Sequence, residues 1–177
     1  MQVCIITSSC YPATVYGGPV ASIKASCEEL ANRGVTISVA TTNANGNCKL
    51  HVPRNRFVQI SENLRVKYYN DIIIGRLSLS YAFQVWRDIK QNDIVSIQDI
   101  FSTIMPPSLL YSFILGRPVV LSARGVLSKW ALTKQHVYIK RMWLRLFLAP
   151  FHARIVWHAT SEMGEEEPTN IGPTAEA

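Results

Sequence analysis

The stretch QVCIITSSCYPATVYGGPVASIKASCEELANRGVTISVAT, residues 2–41, decides the fold of this chain. Its first run, 2–7, is β-branched and apolar on both faces, as expected of a central strand in a parallel sheet. Apolar residues then recur at helical spacing across 20–31, and Gly34 suits the C-terminal cap of that helix. A second apolar run, 35–41, completes a strand–helix–strand unit, which is right-handed almost without exception. The stretch therefore predicts two parallel strands joined by a helix.

The same alternation continues along the chain. We expect further strands at 57–60, 64–69, 93–98, 118–122 and 154–159. Helices are expected where Leu79, Phe83, Trp86 and Ile89 recur, before Gly116, and from about 134 to 149, where Pro150 ends the helix. The Asn-rich segment 42–56 is expected to be a loop. This order predicts one α/β domain over 1–160, with a Rossmann-like, open, mostly parallel twisted sheet and helices on both faces.

Composition indicates a globular protein with an uneven charge distribution. The chain has 177 residues, 48% of them hydrophobic and 17% charged, and a net charge of +6. Seven basic residues and no acidic ones lie in 121–160, whereas the segment 161–177 has five glutamates and no basic residue. A patch of one sign attracts phosphate on a nucleotide, a lipid headgroup or a nucleic acid. No nucleic-acid-binding signature accompanies it, so we expect no nucleic acid partner.

Cysteine and histidine spacing argues against a metal centre. The four cysteines, at 4, 10, 27 and 48, form no Cys-x-x-Cys pair, and the four histidines show no ligand spacing. We therefore expect no metal and a reducing compartment. The N-terminus lacks the pattern of a signal peptide, and no apolar run reaches the roughly 18 residues of a membrane span. The expected location is the cytoplasm.

The loops after the strands are the candidate binding sites, because ligands of open α/β sheets bind beyond the carboxyl ends of the strands. Gly17 and Gly18 stand just before a helix, where free N–H groups favour an anion; they could equally form a turn that needs positive φ and binds nothing. Nine residues separate the first strand from Gly17, and the second strand ends without an acid, so a dinucleotide-binding fingerprint is excluded.

Two later strands also end in polar residues. Gln98 and Asp99 follow the third long strand; Asp99 could act as a base, accept a sugar hydroxyl or cap the next helix. Arg124 and Gly125 follow the next strand, and an arginine at this edge can hold a phosphate through two hydrogen bonds or lie solvated on the surface.

The predicted helix 134–149 is amphipathic and basic. Lys134, Arg141 and Arg145 share one stripe, and Ile139, Trp143, Leu146 and Phe147 are expected on the opposite side. The helix could pack on the core with a solvated basic face, or the basic face could contact an anionic membrane.

Together these loops resemble the N-terminal, acceptor-side domain of retaining glycosyltransferases with the two-domain GT-B fold, of the group 1 or family 4-like type. The matching segments, in order, are YGGP at 16–19, DIVSIQDIF at 93–101, SARGVL at 122–127, KWAL at 129–132 and ATSE at 159–162. The resemblance covers nearly the whole chain. Ser96 and Gln98 stand where the family often has histidines, and Arg124 stands where some relatives have one.

The resemblance implies transfer of a sugar from a nucleotide-sugar donor, with retention, to a glycan or lipid-linked acceptor, as in surface polysaccharide synthesis. By this resemblance Gly17 and Gly18 lie against the donor diphosphate. Gln98, Asp99, Arg124 and Gly125 line the acceptor side, with Asp99 and Arg124 as the catalytic candidates. No cofactor is implied beyond the donor substrate.

The segment 161–177 would be a hinge leading to a C-terminal domain that is absent from this sequence. We therefore expect a truncated or split enzyme that is inactive alone, in the cytoplasm or peripheral on the inner face of the membrane. The alternative is a non-catalytic adaptor domain that docks on an anion or a membrane.

Overall fold

A computed structural model describes residues 1–70, 77–124, 126 and 136–158 of the chain, and it shows one central sheet. Seven strands have the order β5-β6-β2-β1-β7-β8-β9. Every pair is parallel except β5 with β6, which is antiparallel. In chain order the strands are β1 Gln2–Ile6, β2 Thr36–Thr42, β3 Ala44–Asn45, β4 Cys48–Lys49, β5 Phe57–Ser61, β6 Leu64–Tyr69, β7 Ile94–Ile97, β8 Val119–Ser122 and β9 Ile155–His158.

Helices cover both faces of this sheet. They are α1 Gly18–Asn32, α2 Leu79–Lys90, α3 Met105–Ile114 and α4 Val137–Trp143. A π-helical turn, Leu144–Leu148, and a 3₁₀ segment, Ala149–Arg154, continue from α4 to β9. None of the described helices is both long and apolar enough to cross a bilayer. The predicted fold class, a Rossmann-like and mostly parallel sheet, is confirmed.

Alternating side chains divide the core into two layers. Val3 and Ile5 of β1 face the layer that contains Ile23 and Cys27 of α1. Their neighbours Cys4 and Ile6 face the layer packed by α2, α3 and the segment after α4. Since successive side chains of a strand point to opposite faces, a run that is apolar throughout needs a helix on each side. That is the reason why 2–7 could be assigned to a central strand.

Strand order places a crevice beside β1. Chain connections run outward from β1 through β2 and β6 on one side, and through β7, β8 and β9 on the other. The loops after β1 and β7 therefore separate at the carboxyl edge of the sheet and leave room for a ligand between them.

The prediction of a loop throughout 42–56 was wrong in one part. Ala44 pairs with Lys49, and Asn45 pairs with Cys48, so that β3 and β4 form a small antiparallel hairpin. Its two-residue connection begins with Gly46 at φ 66°, a conformation that suits glycine in such turns. The tight turn that Gly46 allows stabilises the hairpin, although the asparagines of this segment have a weak β-propensity.

In α2 the helix was predicted but its buried face was not. Phe83 is 72% exposed and Leu79 is 48% exposed. The buried residues of α2 are Tyr81, Val85, Asp88 and Ile89. Asp88 turns inward because Lys67 of β6 supplies a buried cationic partner at 2.9 Å. A partner 21 residues away leaves no mark on the local hydrophobic pattern.

The basic helix also differs from the prediction. Residues 127–135, including Lys134, lie outside the described part, and α4 begins at Val137. Ile139 and Leu146, expected on the packed side, are 58% and 62% exposed, while Leu144 and Leu148 are buried. The π turn adds a residue to the helical repeat and rotates the face that meets the core. Pro150 does not end the helical path, because the 3₁₀ segment that follows tolerates it in its first turn.

Candidate functional site

A cavity of about 380 Å³ lies at the carboxyl ends of β1, β7 and β8, where the strand order places the crevice. Hydroxyl groups are frequent in its wall: Ser8, Ser9, Tyr16, Thr42, Ser102 and Thr103. The candidate residues Gln98, Asp99 and Arg124 also line it. Many hydroxyls with one amide, one carboxylate and one guanidinium provide donors and acceptors in several directions, as binding of a polyhydroxylated ligand requires.

Arg124 is held at this cavity by neutral partners. Its Nε and Nη2 atoms donate to Oε1 of Gln98, at 3.1 and 2.8 Å. Nη1 donates to the hydroxyl of Ser22 on α1, at 3.2 Å. Gln98 is oriented in turn by a hydrogen bond from its Nε2 to Oγ of Ser96, at 2.8 Å. These contacts fix the guanidinium across the space between β7 and α1.

The charge of Arg124 is not neutralised by the described residues. The ion pairs of the described part join Lys24 to Glu28, Arg33 to Glu29 and Lys67 to Asp88, so none includes Arg124. Its backbone also has φ 51°, an uncommon conformation for a residue with a Cβ atom. Strained residues of this kind concentrate at binding sites, where the surrounding structure holds them.

Asp99 connects two of the loops that form the cavity. Its Oδ2 accepts a hydrogen bond from the backbone N–H of Ser8 at 2.5 Å and one from Oγ1 of Thr7 at 3.2 Å. The carboxylate therefore fixes the start of the first loop to the end of β7. The suggestion that Asp99 caps the next helix was wrong, because α3 begins at Met105 and no side chain caps it.

The two glycines of the first loop differ from each other. Gly17 has φ 62° and ψ −130°, a combination open to glycine, whereas Gly18 is the first residue of α1. A Cβ atom on either one would meet nothing within 4 Å, so both face open space. Neither belongs to the cavity wall, which contains their neighbours Tyr16 and Pro19. The alternative of a turn requiring positive φ thus describes Gly17, and the phosphate role of both stays a prediction.

The first loop is supported by the β3–β4 hairpin. The backbone N–H of Gly46 donates to the hydroxyl of Tyr16 at 2.9 Å. A Cβ atom at Gly46 would come 3.0 Å from Cγ1 of Val15, so a larger residue there would require the Val15 side chain to shift. This contact brings Ala44 and Thr42 to the cavity wall. The loop after Thr41 was among the expected binding loops, but the hairpin that it forms was not predicted, and Gly46 was the one available signal for it.

Several predicted site features fall outside the described residues. Gly125 is one of them, and so are the segments 127–135 and 159–177, which contain KWAL, ATSE and the expected hinge.

Within the described ranges, no group of three or more His, Cys, Asp or Glu residues comes together as a metal site would require. Two thiols near the first loop are buried, and burial raises the pKa of Cys10 to about 11 and that of Cys27 to about 12.

The fold is similar to that of two solved proteins. HepE of Anabaena, solved in complex with UDP-glucose, matches with a TM-score of 0.62 at 15% identity, over 99% of this chain and 42% of HepE. Sucrose-phosphate synthase of Thermosynechococcus elongatus matches with a TM-score of 0.50 at 10% identity, over 90% of this chain and 47% of the enzyme. No family model matches the sequence, and no curated protein is significantly similar to it.

Identities of this size show the fold alone. The chain spans less than half the length of either protein. It has a Rossmann-like α/β fold, and this fold is similar to that of part of HepE and part of sucrose-phosphate synthase.

Proposed function

We propose that this chain is the acceptor-side domain of a retaining glycosyltransferase that uses a nucleotide-sugar donor. The observation on which the proposal rests is the cavity at the carboxyl edge of the sheet, where hydroxyl groups stand among apolar side chains and Arg124 is fixed in the wall. The acceptor is a glycan or a lipid-linked glycan, and surface polysaccharide synthesis is the process that fits it. The fold shared with HepE, which was solved with UDP-glucose, supports a nucleotide sugar as donor.

Arg124 is the group assigned to an anionic or strongly polar part of the substrate. Its three hydrogen bonds to Gln98 and Ser22 use three of the five guanidinium N–H groups, and no other described residue bonds to the remaining two, which we assign to a ligand. Gln98 acts as a positioning residue, since it accepts two of these bonds and is itself fixed by Ser96. A guanidinium held in this way loses little conformational entropy when it binds a phosphate or a sugar oxygen.

Asp99 is assigned to shaping the acceptor side and remains a catalytic candidate. One carboxylate oxygen, Oδ2, holds the first loop, and the residue lines the cavity; we assign its other oxygen to a substrate hydroxyl. Gly17 and Gly18 are assigned to the donor diphosphate, which would lie against them in the cleft shared with a second domain. Because neither glycine lines the cavity, the proposal assigns donor and acceptor to adjacent spaces.

A second domain is part of this proposal. The chain spans less than half of HepE and of sucrose-phosphate synthase. Transfer would then need a nucleotide-binding half in addition to these residues, and the 177-residue chain alone would be inactive. Placement in the cytoplasm, or on the inner face of the membrane, belongs to the same proposal.

The experiment compares two arginine variants in the protein expressed from its complete coding sequence. Transfer of labelled sugar from a panel of nucleotide sugars to cell-envelope glycan extracts is measured for the wild type, Arg124→Ala and Arg33→Ala. Arg33 is a matched control, because its side chain, directly after α1, is 73% exposed and pairs only with Glu29 among the described residues. We expect Arg124→Ala to lower kcat/KM at least about tenfold, roughly 1.4 kcal/mol, and Arg33→Ala to leave it unchanged. Equal activity of the two variants would contradict the assignment of Arg124.

The non-catalytic adaptor is the competing function. An exposed basic and apolar surface on α4 favours it, because such a surface can dock without any reaction. The transfer assay separates the two functions: a protein that binds anionic surfaces and transfers no sugar from any donor is the adaptor.

A further inference from the structure

Helix α4 and the turn that follows expose an unusual number of large apolar side chains. Tyr138 is 88% exposed, Met142 63% and Leu146 62%. Arg141 and Arg145 lie between them, and these five residues line one shallow surface depression. We call this surface the α4 face. Each of its apolar side chains leaves most of its area in water, which costs free energy unless another apolar phase covers it.

The exposure of the α4 face is fixed by contacts on the other side of the helix. Leu144 and Leu148 are buried in the core, and Trp143 packs against the same cluster. The indole Nε1 of Trp143 donates to the backbone carbonyl of Ile100 at 2.9 Å. A rotation of the helix that buried Met142 would break this hydrogen bond and expose the core leucines. The segment is therefore apolar on two sides, and only one of them packs on the sheet.

Charge indicates what would cover the α4 face. The described segment 136–158 contains Lys140, Arg141, Arg145 and Arg154 and no aspartate or glutamate. A partner must therefore offer negative charge and an apolar interior at the same place. An anionic lipid surface does so, because headgroup phosphates lie a few ångströms above the acyl chains. A nucleic acid would satisfy the arginines but would leave Met142 and Leu146 in water.

We propose that the α4 face docks on the surface of an anionic lipid bilayer. Tyr138, Met142 and Leu146 enter the interface, and Arg141 and Arg145 contact the headgroup phosphates. The helix lies on the membrane and does not cross it. This inference names the residues and the lipid chemistry of the membrane contact mentioned above. It uses no residue of the cavity and predicts binding without donor or acceptor, so its failure would leave the sugar-transfer proposal standing.

The test is sedimentation of the 177-residue chain with vesicles of 30% phosphatidylglycerol in phosphatidylcholine, and with vesicles of phosphatidylcholine alone. The variants are Arg141→Gln/Arg145→Gln and Met142→Ser/Leu146→Ser. Matched controls are Arg33→Gln/Arg87→Gln, which removes the same charge from exposed positions elsewhere, and Phe83→Ser, which removes an apolar side chain that is 72% exposed on α2. All the substituted side chains are exposed, so the fold is expected to be retained.

Docking predicts salt-sensitive binding to the anionic vesicles and little binding to the neutral ones. Loss of both arginines should weaken the partition coefficient by about 30-fold, since each contributes roughly a factor of five near an anionic surface. The Met142→Ser/Leu146→Ser variant should also bind more weakly, and both controls should bind like the wild type.

Four results would overturn the proposal, and three of them concern binding: no binding to anionic vesicles, an equal loss in the controls, or equally tight salt-sensitive binding to duplex DNA. A concentration-dependent dimer that only the α4-face variants disrupt would assign the face to a second copy of the chain and would equally overturn it.

Discussion

Two ion pairs with nearly the same geometry should differ greatly in what they contribute to stability. Lys67 Nζ lies 2.9 Å from Asp88 Oδ1, and the two side chains are 9% and 2% exposed. Arg33 Nε lies 2.8 Å from Glu29 Oε1, but those side chains are 73% and 60% exposed. The hydroxyl of Tyr69 also donates to Asp88, so the buried carboxylate satisfies two partners.

Replacing one member of each pair gives the expected magnitudes. Asp88→Asn leaves the ammonium of Lys67 buried without a counter-charge, and breaking a buried pair in this way costs about 3–5 kcal/mol. Glu29→Gln leaves Arg33 in water, where losing the pair costs about 0.5 kcal/mol or less. Adding Lys67→Met to Asp88→Asn removes the stranded charge and should restore a large part of the loss.

Urea unfolding of the chain at pH 7, followed by circular dichroism, measures these differences. An unchanged m-value would show that the variants unfold from the same native state. The reasoning would be refuted if Asp88→Asn and Glu29→Gln cost the same, or if the double variant were no more stable than Asp88→Asn.

Three further outcomes follow from other contacts. Gly17→Ala should lose about 1–2 kcal/mol because φ is 62° there, whereas Gly18→Ala should not; thermal melting of both variants checks this. A maleimide should label only Cys48 in the folded chain, since Cys4, Cys10 and Cys27 are buried, and rapid labelling of two sites would contradict the packing. The pKa of Cys27 is about 12 when folded and 9.0 ordinarily, so the folded state holds this proton more tightly. That stabilisation is complete below pH 9 and is lost as pH rises from 9 towards 12. Cys27→Ala should therefore show a shallower fall in unfolding free energy across that range, by at most about 1.4 kcal/mol per pH unit.

Much of the sheet could be predicted because its strands carry their signal locally. The run 2–7 is apolar on both faces, and the strand predicted at 35–41 is also almost wholly buried, since helices cover both faces of the sheet. The loops that bear Gln98 and Arg124 follow from those strands, because carboxyl ends of parallel strands share one edge. Both residues do lie in one cavity wall and are hydrogen-bonded to each other.

The parts that escaped prediction depend on contacts between distant residues. The buried face of α2 is set by Lys67, which lies on β6. The α4 face is set by a π turn that shifts the helical repeat. Ser22 reaches Arg124 across 102 residues of sequence, and Ser8 reaches Asp99 across 91. A hydrophobic pattern indicates how one segment packs against the core. It cannot predict hydrogen bonds between polar residues that lie far apart in the sequence.

The most direct test of the central proposal is transfer of labelled sugar by the protein expressed from its complete coding sequence, beside the 177-residue chain. With a panel of nucleotide sugars and cell-envelope acceptors, we predict transfer by the complete protein, with the anomeric configuration of the donor retained, and none by the chain alone. A folded, complete protein that transfers no sugar from any donor, or a chain that transfers sugar unaided, would contradict the account.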